Sequence, residues 1–97
     1  MAKVAIIGTL ILKPGTREEA LPALLAHRER CLSDEPGTLA FEVLVPADDE
    51  NKVMFYELYA DPAAVDAHMN GTSMRTIQAE HGHKVLSLTG IQCVPAG

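Results

Sequence analysis

The sequence predicts an α+β fold: one antiparallel sheet covered on one face by helices, in the order β-α-β-β-α-β. Three observations predict it. Apolar runs of strand length, rich in branched residues, alternate with segments of helical spacing. Pro14-Gly15, Pro36-Gly37, Pro46 to Asn51, Asp61-Pro62, Asn70-Gly71 and Gly82 punctuate the chain between these segments. The two middle strands are joined by a turn so short that they must pair as a hairpin. With 97 residues, 47% of them hydrophobic, there is room for one domain, spanning residues 1–97.

Val4 to Leu12 is the first strand, short and rich in Ile, Leu and Val. Thr16-Arg17-Glu18-Glu19 reads as a capping box, in which the hydroxyl and the Glu19 carboxylate close the free amides of a helix's first turn. Leu21, Leu24, Leu25, Arg28 and Leu32 follow at helical spacing, and Pro36-Gly37 stops the segment. Thr38 to Val45 alternates as a second strand. Lys52 to Tyr59 is a third, with Val53, Phe55, Glu57 and Tyr59 on one face and Met54, Tyr56 and Leu58 on the other. Asp61-Pro62 is an N-cap followed by proline at the first helical position, opening a short helix over Ala63 to Met69. Thr72 is read as the cap of a second helical piece, carrying Met74, Ile77, Gln78 and His81 on one side and ending at Gly82. Val85 to Val94 is the last strand.

This order is the split, ferredoxin-like arrangement. It leaves one face of the sheet without a helical cover. Yet the first strand is apolar on both sides, with Val4, Ile6 and Leu10 on one and Ala5, Ile7 and Ile11 on the other. An open antiparallel sheet presents a polar face to water. A second copy of the chain is the simplest cover for the surplus apolar face, so a homodimer is expected.

Composition excludes several functions. The net charge is −5 and the basic residues are scattered singly, so neither nucleic acid nor an anionic membrane is expected as a partner. No apolar run reaches the ~18 residues of a membrane span. The N-terminus has no basic segment before a short apolar core, so no leader is expected. Cys31 and Cys93 do not form a disulfide framework, and free thiols in the cytoplasm are the expectation. Val4-Ala-Ile-Ile-Gly8 resembles the opening strand of a dinucleotide-binding unit, but no Gly-x-Gly-x-x-Gly follows, so NAD and flavin are rejected. There is also no phosphate-binding glycine loop or serine nucleophile elbow.

The stretch Glu35-Pro-Gly-Thr-Leu-Ala-Phe-Glu-Val43, then Phe55-Tyr-Glu-Leu-Tyr-Ala-Asp61, then Ala64 and Ala67-His68, resembles the antibiotic biosynthesis monooxygenase family. The family pattern is an acidic-x-Gly turn into strand two, a Glu-x-aromatic at the end of strand three and an Ala-x-x-x-His helix. The order and spacing of these short motifs carry the match across the whole chain. The resemblance implies a homodimeric α+β barrel with a ligand pocket in each subunit between sheet and helices. It implies a cofactor-independent monooxygenase acting on quinols or anthrones. Three departures stand out. Tyr59 occupies a position that is often Trp. The second histidine that often follows the helical one is missing from Met69-Asn-Gly-Thr-Ser-Met74. No Trp exists to ruffle a porphyrin, which sets haem degradation aside.

Within that frame His68 is the expected general base, because an imidazole titrates near neutral pH and can take a proton from a phenol or enol. Glu57, a carboxylate between apolar neighbours, either orients His68 or acts as a base itself, or else is a structural carboxylate paired with an arginine. Glu42 poses the same question, with the structural reading ahead. Tyr56 and Tyr59 are expected to hydrogen-bond a quinone-like oxygen, and Phe41, Phe55 and Met74 to line an aromatic-substrate pocket. His81-Gly-His83, and His27 with Cys31 at i,i+4 spacing, look like metal ligands only at first sight. Two donors do not close a site, so these histidines read as solvated and neither metal nor cofactor is expected. Three functions fit: a cofactor-free monooxygenase, an isomerase shuttling protons through His68 and Glu57, and a dimeric module that binds a small hydrophobic or aromatic molecule without turnover.

Overall fold

The structure, a computed structural model, describes residues 2–97. Strand β1 (Val4–Leu12) leads into helix α1 (Arg17–Asp34), the hairpin of β2 (Thr38–Leu44) and β3 (Lys52–Tyr59), helices α2 (Pro62–Met69) and α3 (Thr72–His81), a single 3-10 turn at Gly82–Lys84 and strand β4 (Val85–Cys93). The four strands form one antiparallel sheet in the order β2-β3-β1-β4. This is the ferredoxin-like α+β fold. No helix among the described residues is long and apolar enough to cross a membrane.

Register decides which side chains meet the helices. Gly8 pairs with Phe55 and with Gly90, Leu10 with Val53 and Leu88, and Phe41 with Glu57. Directly opposed residues share a face. Leu10, Leu12, Val53, Phe55 and Phe41 therefore meet Ala20, Leu24 and Cys31 of α1 in the buried core. On the opposite face Ile7 is opposed by Tyr56 and Ile91. Ile7 and Ile11 are 38% and 37% exposed and Ile91 is 67% exposed. The sheet is thus apolar on the side that carries no helix. Helical cover also stops short of β4, which is exposed along almost its whole length.

Two caps differ from the sequence expectation. The Thr16 hydroxyl donates to the Lys13 carbonyl at 2.8 Å and does not cap α1. Glu19 is drawn instead to the buried Lys84 ammonium at 3.1 Å, which needs an anion far more than the helix end does. At α3 the cap is Gly71 and Thr72 is already the first helical residue. The site is tight: a Cβ on Gly71 would lie 2.9 Å from the Ala67 carbonyl oxygen. The Asp61 cap of α2 is as expected, its carboxylate accepting from the Ala64 amide at 2.9 Å.

Gly37 sets how closely α2 approaches the hairpin. A Cβ there would sit 2.4 Å from the Ala64 Cβ. Gly37→Ala is therefore expected to lower stability by about 1–3 kcal/mol, the usual cost of overpacking, read from a shifted denaturation midpoint. Because Ala64 and His68 are four residues apart on one helical face, the same change moves His68.

Candidate functional site

A cavity of about 380 Å³ opens between the sheet and the two short helices. Its walls are mostly apolar: Ile6, Gly8 and Leu10 from β1, Phe41 and Phe55 from the hairpin, Val65 and Met69 from α2, Met74 and Ile77 from α3. Leu88, Gly90 and Gln92 of β4 complete it, and Gln78 and His81 supply polar groups. Glu57, His68 and His27 also border it.

His68 reaches the cavity because Asp61 and Pro62 start α2 immediately after β3, and the small Ala64 lets that helix press onto Gly37. Its imidazole is 2% exposed and lies 5.3 Å, ring to ring, from Tyr59 and 5.9 Å from Phe41. His68 Nδ1 is 2.9 Å from Glu35 Oε1, and Nε2 is 3.7 Å from Glu57 Oε1. Glu35 closes α1, its amide donating to the Cys31 carbonyl, and its carboxylate is held by the Thr38 hydroxyl at 2.8 Å. The imidazole thus sits between two carboxylates, one firmly hydrogen-bonded and one just beyond hydrogen-bond distance.

Glu57 is nearly buried in the middle of β3. The Tyr59 hydroxyl donates to Glu57 Oε1. Burial lifts the Glu57 carboxyl above its ordinary range, opposed by the Tyr59 hydrogen bond and the nearby His68. Burial, with the adjacent Glu57 carboxylate, pushes the Tyr59 phenol well above its ordinary value, so it acts as a neutral donor. Among the described residues no arginine pairs with Glu57. Arg28 is engaged elsewhere, donating to the Phe41 carbonyl at 2.7 Å and to the exposed Glu42 carboxylate at 3.1 Å.

The sequence-predicted residues divide. His68, Glu57, Phe41, Phe55 and Met74 converge on the cavity. Tyr59 lies fully buried behind Glu57 and reaches the cavity only through that carboxylate. Tyr56 does not belong to the group. It is opposed by Ile7 and Glu42 on the helix-free face, because side chains alternate along a strand and Tyr56 follows Phe55 by one.

Other residues went unrecognised in the sequence. Glu35 was visible as part of the acidic turn motif but had no assigned partner. His27 is not solvated: it is 4% exposed, with Nδ1 2.8 Å from Ser73 Oγ. Burial first, then the proximity of His68, depress its pKa to about 4, so it is a neutral imidazole. Cys31 is fully buried, and burial together with Glu35 pushes its thiol up to about 12. The ring centroids of His27 and His68 are 5.5 Å apart. A second imidazole, contributed by α1, thus lies beside that of His68.

Fold and site together define a ferredoxin-like domain with an internal, mostly apolar cavity and a histidine–carboxylate cluster at one end. The antibiotic biosynthesis monooxygenase family model matches residues 3–80, and the chain belongs to that family. Membership points to a monooxygenase. The matched span ends before β4, the strand that closes the cavity. Among solved structures the chain is similar to a candidate antibiotic biosynthesis monooxygenase from Caulobacter crescentus CB15, with a TM-score of 0.92 and 18% identity over 99% of this chain and 92% of that one. It is also similar to one from Nitrosomonas europaea, with a TM-score of 0.90 and 21% identity over 98% and 91% of the two chains. A third, from Bacteroides thetaiotaomicron VPI-5482, gives a TM-score of 0.90 and 24% identity over 99% and 91%. At such identities the likeness shows the fold alone. No curated protein matches the chain.

Proposed function

We propose that the chain is a cofactor-free, cytoplasmic monooxygenase that oxidises a small electron-rich aromatic of the quinol, phenol or anthrone class with O2. The observation that carries the reading is the cavity: apolar, large enough for one or two aromatic rings, and bordered at one end by His68 and Glu57. With its Nδ1–H donated to Glu35, His68 offers the Nε2 lone pair to a substrate hydroxyl. The imidazolium so formed is stabilised by Glu35 and by Glu57 at 3.7 Å. The substrate anion then reacts with O2 at a ring carbon to give a hydroperoxide. Loss of water leaves a carbonyl there, so one oxygen atom enters the product and the other leaves as water. The protein supplies a base, a dry pocket and orientation.

The working unit in this reading is a homodimer, in which a second copy covers the apolar, helix-free face of the sheet. The purified, colourless protein is expected to consume one O2 per quinol oxidised, measured with an oxygen electrode across quinols, phenols and anthrones. Ligand binding without oxygen uptake across that panel overturns the oxygenase and favours a binding module. Proton exchange or isomerisation of the ligand without oxygen uptake favours an isomerase.

A further inference from the structure

His81 and Lys84 give the cavity a second polar end. The single 3-10 turn over Gly82–Lys84 folds Lys84 back onto His81, the last residue of α3. Lys84 is 5% exposed, and its ammonium lies 2.6 Å from His81 Nδ1 and 3.1 Å from Glu19 Oε1. An ammonium only donates, so His81 Nδ1 holds a lone pair and the ring proton sits on Nε2. An imidazolium has no lone pair with which to accept from Lys84. Lys84 thereby fixes one neutral tautomer of His81, and Glu19 anchors Lys84.

His81 borders the cavity together with Gln78, which precedes it on α3. It stands at the end remote from His68. Cys31 in the last turn of α1, and Glu35 just beyond it, touch His68. Glu19, in the first turn of the same helix, is joined to His81 through Lys84. From Glu19 to Cys31 the helix rises about 18 Å. The walls between the two ends are apolar, with Leu10, Phe55 and Ile77 among them.

We propose that the His81 Nε2–H selects the substrate, by donating to an oxygen at the end of the aromatic remote from the hydroxyl that meets His68. This deepens the oxygenase reading and rests on it for the placement of that hydroxyl. It narrows the substrate class to aromatics oxygenated at both ends, such as para-quinols and para-hydroxyaryl ketones. A phenol with only a hydrocarbon group at the far end would leave the Nε2–H facing apolar surface, and a donor left unsatisfied costs binding.

Two ligands that differ at one carbon test the proposal on the full chain. 4-Hydroxyacetophenone carries a carbonyl remote from its hydroxyl, and 4-ethylphenol carries a methylene there. Their Kd values are measured by titration calorimetry under nitrogen, so that oxygen uptake plays no part. His81→Asn keeps an acceptor for Lys84 and removes the Nε2–H. It is expected to reduce the preference for the ketone by about 2- to 12-fold, the range of one net hydrogen bond, with 4-ethylphenol binding unchanged. A His81 that only satisfies Lys84 leaves the preference unaltered in His81→Asn, and that result overturns the proposal.

Nitrogen-15 NMR of the wild-type histidines decides the matter if the variant does not fold. His81 is expected as the Nε2–H tautomer, with a resonance that shifts on adding 4-hydroxyacetophenone and not on adding 4-ethylphenol. An Nδ1–H tautomer, or equal shifts with both ligands, overturns the proposal. Absent oxygen uptake with the ligand preference intact removes the oxygenase alone. Oxygen uptake with no such preference removes the role of His81 alone.

Discussion

His68→Gln is expected to lower the rate of oxygen consumption by about 10²–10⁴, the range contributed by a positioned general base. The substitution isolates proton transfer from architecture. Gln retains an N–H to donate toward Glu35, so that carboxylate keeps a partner, but the amide cannot accept a proton at neutral pH. His68→Ala is a poorer test. The side chain is 2% exposed and hydrogen-bonded to Glu35. Truncation leaves a void and a nearly buried carboxylate with one partner fewer, a loss of about 1–3 kcal/mol. Oxygen-electrode rates on both variants, with circular dichroism to confirm folding, separate the two effects. A folded His68→Gln protein as active as wild type moves the base to Glu57.

Ile7→Lys is expected to convert a dimer into a monomer at micromolar concentration. Ile7 lies in the central strand on the helix-free face, opposed by Tyr56 and Ile91. Interfaces of permanent dimers bury roughly 2,000 Å² or more and resemble a divided core. A lysine at the middle of such a surface must lose its hydration without finding a partner charge, which costs several kcal/mol per subunit. Because Ile7 is already 38% exposed in the single chain, the substitution leaves the core between sheet and helices intact. Sedimentation velocity distinguishes the outcomes. A wild-type monomer overturns the dimer, and a dimeric Ile7→Lys protein moves the interface to another surface.

Local patterns in the sequence determine a great deal here. Branched runs, the Asp61-Pro62 cap, the Pro46 to Asn51 turn and the doubly apolar first strand suffice for element order, fold class and family. Each is written in neighbouring residues and obeys helical or strand periodicity. His68 and Glu57 are legible for the same reason: a histidine beside alanines and a carboxylate inside an apolar strand are anomalies visible locally. Alternation along β3 puts Tyr56 on the face opposite Tyr59, which the expectation of a shared substrate contact overlooks. What His68 touches is not written locally. Its partners Glu35, Cys31 and His27 lie 33 or more residues earlier, and no periodicity connects them to α2. They meet because Gly37 lets α2 settle against the hairpin and because α1 crosses the same face of the sheet. His27 looks solvated until the fold buries it beside Cys31 and His68. The Thr16 hydroxyl and Glu19 look like a cap until the buried Lys84 claims the carboxylate. Short-range chemistry settles which elements form. Desolvation, which exists only once distant segments close over a group, decides which charges pair and which imidazoles stay neutral.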